Sequence, residues 1–249
     1  MNKYINKTIP HSNLILTLLD LFLIAMFRLL PERVFGNPDK MVPDMSEKML
    51  SFWNSNQMNL PTNLKSIATA WRNWHLLKVG ISICILIISS LLVISLWKSH
   101  KRSARKTTVY TATVLMFFII FTLVVIGVNI QTSSAPIISL LMMLEKSVST
   151  QMRNQLLSPQ HAHTLEYFEM ANNRYNWTLL IYSLVIIIIS LSLLRFLRQM
   201  NLKQRYSFKF NYNTLLTVII VTISVFILII FVSIAPLINP PKSIHNLLS

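Results

Sequence analysis

The sequence predicts an all-α polytopic integral membrane protein with five transmembrane helices, or four if the first apolar segment stays out of the bilayer. Three observations carry this. Of 249 residues 53% are hydrophobic and the mean hydropathy is +0.53, too apolar for an ordinary soluble domain of that length. Charge-free stretches of 19, 38, 19 and 32 residues occupy 79–97, 107–144, 176–194 and 210–241. A bilayer core about 30 Å thick needs roughly 20 apolar residues at about 1.5 Å each. Spans are therefore expected at about 77–97, 108–130, 177–197 and 214–235. Third, a two-span pattern occurs twice. Asn73-Trp74-His75-Leu76-Leu77 opens one copy and Ala135-Pro136-Ile137 closes it; Asn176-Trp177-Thr178-Leu179-Leu180 and Ala235-Pro236-Leu237 do the same for the other. The offset is 103 residues at the opening and 100 at the close. This predicts a tandem repeat whose copies run parallel, related by an axis along the membrane normal.

Residues 1–31 hold the marginal first span, at about 14–30. It is apolar apart from Thr17, Asp20 and Arg28. A mid-span carboxylate costs about 2.5–3.5 kcal/mol, and each Leu or Ile returns about 0.3–0.6 kcal/mol, so insertion is expected. Lys3 and Lys7 resemble a signal n-region, yet no small-x-small cleavage site follows. Arg28 lies about 12 Å further along a helix, too far to pair with Asp20. Asp20 is therefore a candidate for pairing with a partner subunit. Its other readings are a tolerated charge in a marginal span and an interfacial helix.

Residues 32–140 form the first copy, 141–241 the second, and 242–249 a tail. Each copy opens with an outer arm. Glu47-Lys48 leads to Pro61 and Glu145-Lys146 leads to Pro159, 14 residues in both. Proline cannot continue a helix interior without losing a backbone bond, so each arm reads as helix, break, helix. Apolar stripes follow: Met49, Phe52, Trp53 and Leu60; Leu64, Ile67, Trp71 and Trp74; Leu144, Val148, Met152 and Leu156; and Leu165, Phe168, Asn172 and Tyr175. From 63 to 100 there is no proline and Gly80 is the only glycine, so this arm is expected to enter its span as one helix. The same is expected from 160 to 198. The stripes predict two helical hairpins packed as a small bundle, with helices lying flat on the bilayer as the alternative.

The net charge is +15, unevenly placed. Lys98, Lys101, Arg102, Arg105 and Lys106 follow the second span, and Arg195, Arg198, Lys203, Arg205 and Lys209 follow the fourth. Seven of the eight acids lie in the two other connections: Glu32, Asp39, Asp44 and Glu47, and Glu145, Glu166 and Glu169. This is the positive-inside pattern. It places loops 98–106 and 195–209 in the cytoplasm and the arms and C-terminus outside, with a bacterial inner membrane as the expected location. Nucleic acid is not an expected partner, because aromatics suited to base stacking are sparse among the basic residues. Cys84 is the single cysteine, so no disulfide forms within the chain.

The spans are chemically plain. The four after the first contain no Asp or Glu, and the chain has three glycines. Both facts disfavour a pump or coupled transporter. His161 and His163 form a His-x-His pair near Glu166 and Glu169, without the spacing of a zinc site; a solvated loop is expected there. His75 reads as an interfacial residue. Asn176-Trp177-Thr178 matches a glycosylation acceptor at the bilayer edge. No catalytic residue, cofactor or metal is expected. The expected function is a non-enzymatic scaffold or accessory subunit, its partners being the lipid bilayer and other membrane subunits or copies of itself. Phe52, Trp53, Trp71 and Trp74, with Asp20, are its candidate contact residues, with packing of the bundle core the favoured role for the aromatics. A channel or transporter subunit using Thr113, Thr122, Asn129 and Ser192 is the alternative, and an enzyme built on His161, His163, Glu166 and Glu169 the second.

Overall fold

The computed structural model describes residues 11–36, 42–103, 106–156, 158–203 and 209–248. Lys3, Lys7, Asp39, Arg105 and Arg205 lie outside the described residues. The elements are α1 (His11–Phe35), α2 (Val42–Ser55), α3 (Thr62–Ser103), α4 (Lys106–Ser134), α5 (Pro136–Leu141), α6 (Lys146–Asn154), α7 (Ala162–Lys203), α8 (Lys209–Ile238) and α9 (Pro240–Leu247). A 3-10 turn at Pro159–His161 leads into α7. Helices α1, α3, α4, α7 and α8 are long and apolar enough to cross a membrane. The protein is an all-α polytopic membrane protein, and its first apolar segment qualifies with the other four.

The proline breaks fall where the sequence puts them. Pro61 precedes α3 and accepts the Lys65 N–H at 2.9 Å, and Pro159 opens the turn before α7. Asn56, just past α2, takes φ 48°, the left-handed conformation that ends helices. Its Oδ1 accepts the backbone N–H of His163 at 2.9 Å, so the turn of one arm holds the start of the other. Helices α3 and α7 each run 42 residues without interruption, about 63 Å. The basic residues Lys98, Lys101, Arg102 and Lys106 therefore sit on helix ends rather than in an open loop, as do Arg195, Arg198, Lys203 and Lys209.

The spans form a row in chain order. α1 packs on α3, α3 on α4, α4 on α7, and α7 on α8, which α4 also touches. The outer sides are apolar and exposed: Ile15, Leu18 and Phe22 on α1, and Leu228, Phe231 and Val232 on α8. Such surface suits lipid, which satisfies no backbone polar group and so demands intact helices.

At one end of the row the arms close into a bundle. Met45, Met49, Phe52 and Trp53 of α2 share one core with Leu64, Ile67 and Trp71 of α3 and with Met152, Leu156 and Phe168 of the second arm. Trp53 Nε1 donates to Gln155 Oε1 at 3.0 Å, and Ser46 Oγ accepts the Glu145 N–H at 3.1 Å. The stripes face one another rather than the bilayer. The sole ion pair among the described residues is Lys48–Asp44 within α2, an i,i+4 pair worth about 0.3–0.5 kcal/mol; packing holds the arms together.

Two short helices, α5 and α9, complete this core through Ile137, Ile138, Leu140 and Leu141 and through Ile244 and Leu248. They sit differently on the two Ala-Pro sequence matches. Ala135-Pro136 starts α5, whereas Pro236 lies inside α8, which continues to Ile238. The backbone counterpart of Ala135 is Asn239: their φ and ψ are −141° and 70°, and −139° and 80°. Asn239 caps α9 by accepting the Lys242 N–H at 3.2 Å, which Ala235 has no side chain to do. The order short, long, return, short thus runs twice, with 14, 42, 29 and 6 residues and then 9, 42, 30 and 8.

Candidate functional site at the membrane boundary

Side chains that the sequence reading singles out fall into three layers. In the bundle, Phe52 and Trp53 are fully enclosed. Phe52 meets Tyr167 and Phe168 edge-on at 5.5 and 5.8 Å, and Trp53 stacks on His161 at 4.8 Å. Trp71 is also buried and donates from Nε1 to Ser139 Oγ at 2.7 Å. These three fill the core, and only Trp71 keeps noticeable surface, 8%. Trp74 is half-buried, stacked on Trp71 at 4.9 Å.

His161 corrects an expectation. It is not in a solvated loop: the 3-10 turn folds it under the bundle, where its Nδ1 meets the Trp53 carbonyl at 3.1 Å. His163, two residues on, is exposed at the start of α7, so the His-x-His pair does not converge. Burial, and secondarily Glu166, push the Glu169 carboxyl above the ordinary carboxylate range. Among the described residues, no three His, Cys, Asp or Glu side chains gather to hold a metal.

The second layer lies where the bundle meets the spans. His75 Nδ1 is 2.7 Å from Asn129 Oδ1, and Asn129 Nδ2 donates to the Val125 carbonyl at 2.8 Å. With the amide oxygen facing the ring, Nδ1 carries the proton and Nε2 offers a lone pair. That Nε2 and Trp74 Nε1 are both buried without a protein partner. Lys78 Nζ lies 3.6 Å over the Trp74 ring and 5.1 Å from that of Phe27, a cation–π arrangement linking α3 to α1. His75 is thus an interhelical tie rather than a plain interfacial residue. The sequence showed a histidine and an asparagine near a bilayer edge but not their register.

Within the membrane, polar groups pair helix to helix. Asn13 Oδ1 accepts from Ser95 Oγ, and Asp20 Oδ2 accepts from Ser89 Oγ at 2.8 Å. Asn13, Asp20 and Phe27 are spaced by seven, which gives α1 one heptad seam against α3. Asp20 is 5% exposed, and its Oδ1 has no partner among the described residues. Asp20→Asn keeps an acceptor for Ser89 and removes the charge. Interhelical bonds in membranes average about 0.6 kcal/mol, so this variant is expected within about 1 kcal/mol of wild type in detergent unfolding. A larger loss would mean that the carboxylate itself is needed.

The two hairpins meet at α4 and α7. Tyr182 lies across Gly127 and donates its hydroxyl to the Leu123 carbonyl at 2.8 Å. A Cβ at Gly127 would stand 2.6 Å from the Tyr182 ring, so only glycine admits this approach. Thr122 and Ser192 bond back to carbonyls of their own helices, and Asn129 is taken by His75. Asn176, the glycosylation candidate, is buried and donates to Asn172.

A cleft opens beside this boundary, between α3, the α4–α5 junction and α7. It encloses about 450 Å³ and is lined by Lys65, Arg72 and Arg174 with Ser133, Ser134 and Tyr167 among others. Among the described residues, no His, Asp or Glu lines it. No protein-family model, no curated protein and no solved structure matches the chain.

Proposed function

We propose that this protein is a non-enzymatic scaffold or accessory subunit of a membrane complex, whose spans anchor and orient the helical bundle. The supporting observation is an open row of spans beneath one closed bundle: α1 and α8 end the row with broad apolar faces, while both arms, α5 and α9 share a single core. A row leaves both ends free for other membrane subunits or a further copy. Because Phe52, Trp53 and Trp71 are enclosed, partner binding falls to the bundle's outer surface and the row ends, with the aromatics setting the shape of that surface. The twice-run order of element lengths supports descent from a duplicated unit. The basic helix ends support a cytoplasmic position for residues 98–106 and 195–209 and an outward bundle, in a bacterial inner membrane.

The full chain, tagged and purified in mild detergent, is expected to carry a foreign membrane subunit in stoichiometric amount, identified by mass spectrometry. A lone homo-oligomer sinks the accessory-subunit reading and sends the question to flux measurements in liposomes. Orientation is read in cells with the background Cys84→Ala: an impermeant maleimide is expected to label His163→Cys in intact cells and Lys101→Cys only after permeabilisation. The reverse pattern inverts the topology.

A further inference from the structure

The cleft beside the bundle gathers charge that the fold leaves unbalanced. Lys65 and Arg72 come from α3 and Arg174 from α7, and among the described residues no carboxylate lines the cavity. The ion pair in α2 takes none of the three. Like charges around one concavity repel, and a bound anion relieves that repulsion with charge-assisted bonds. Ser133 and Ser134 stand on the same wall, their hydroxyls donating to the Ile130 and Gln131 carbonyls, so the three cations carry the attraction. The volume, about 450 Å³, falls in the range of small-molecule sites, about 300–1,000 Å³.

Depth identifies the anion. Spans begin near 77 and 177, so Arg72 stands about 7.5 Å and Arg174 about 4.5 Å beyond the hydrocarbon edge. Headgroup layers add about 5–7 Å on each side of the core. Below these arginines the same faces turn apolar: Leu76 lies four residues after Arg72, and Trp177 and Ile181 lie three and seven after Arg174, all exposed. A cationic cleft above an apolar wall, at headgroup depth, matches a phosphate carried on acyl chains.

We propose that this cleft binds the phosphate of an anionic phospholipid headgroup, held by Arg72 and Arg174 with Lys65 above them. The site draws on α3, the α4–α5 junction and α7, so a bound lipid ties the first hairpin to the second.

The test is native mass spectrometry of the full chain in mild detergent, titrated with phosphatidylglycerol, phosphatidylcholine or inorganic phosphate. Wild type is expected to retain phosphatidylglycerol at about tenfold lower concentration than phosphatidylcholine. R72Q/R174Q is expected to lose about tenfold of that retention, while Lys146→Gln, on α6 away from the cleft, keeps it. Equal retention by wild type and the double variant overturns the proposal, as does equal retention of the two lipids. Inorganic phosphate that binds and displaces phosphatidylglycerol assigns the cleft to a soluble phosphate compound and overturns the lipid. Should the double variant misfold, the single variant Arg174→Gln, at the shallowest of the three depths, replaces it: weakening of about threefold supports the site, and unchanged retention overturns it.

Discussion

Trp53→Ala is expected to loosen the bundle by about 3–5 kcal/mol, the usual cost of truncating a buried Trp to Ala. The residue has no exposed surface. Its ring stacks on His161 and, at 6.2 Å, on Phe168. Its indole N–H is committed to Gln155, and its carbonyl meets the His161 ring nitrogen. Removing the ring leaves a cavity at the one place where α2, α6 and the start of α7 converge, and an amide acceptor without its donor. The spans persist, because their helices are held by lipid. Amide hydrogen exchange therefore reads the loss better than total helicity does. Protection of α2 and α6 should fall by at least about a hundredfold, since about 1.4 kcal/mol is a factor of ten. Trp53→Phe keeps a stacked ring and should lose only about 1–2 kcal/mol. Unchanged α2 protection in Trp53→Ala would mean that the arms do not depend on this core.

The second large effect is expected at Gly127. An added methyl stands 2.6 and 2.7 Å from two carbons of the Tyr182 ring. The ring is tethered by its hydroxyl to Leu123, so it cannot swing aside without losing that bond. Gly127→Ala is thus expected to cost about 1–3 kcal/mol, as overpacking does. Removing the obstacle should cancel much of the penalty. Tyr182→Ala pays for its own lost packing and bond, but adding Gly127→Ala to it should cost little more. The two effects should depart from additivity by at least about 1 kcal/mol. Full additivity in detergent unfolding would place Tyr182 away from Gly127 and leave the two hairpins without this contact.

Much of the fold was legible because its signals are long-range along the chain. Charge-free runs locate the spans, and Pro61 and Pro159 locate the breaks, since both rest on backbone and transfer energetics rather than on partners. The 42-residue helices follow from missing breakers between those prolines and the basic ends. What was not legible depends on register between elements. His161 reads as solvated until Trp53, 108 positions away, is brought to it. His75 and Asn129 are 54 apart, and Gly127 gains meaning only when Tyr182 crosses it. α5 escaped notice because its apolar residues merge with the span that precedes it. The three cations of the cleft sit singly in sequence, and only the pairing of α3 and α7 around the α4–α5 junction collects them.

Helices α3 and α7 are each one piece from the bundle to the basic side. An unbroken helix has no hinge residue between its ends, so a tilt of the whole element is felt at both. Over about 63 Å, a tilt of about 5° shifts one end against the other by about 5 Å. Tyr182, bonded to α4, lies at the midpoint of α7, residues 162–203. Held there against α4, and packed along α8, the rod joins the bundle, the membrane and the basic side in one rigid element.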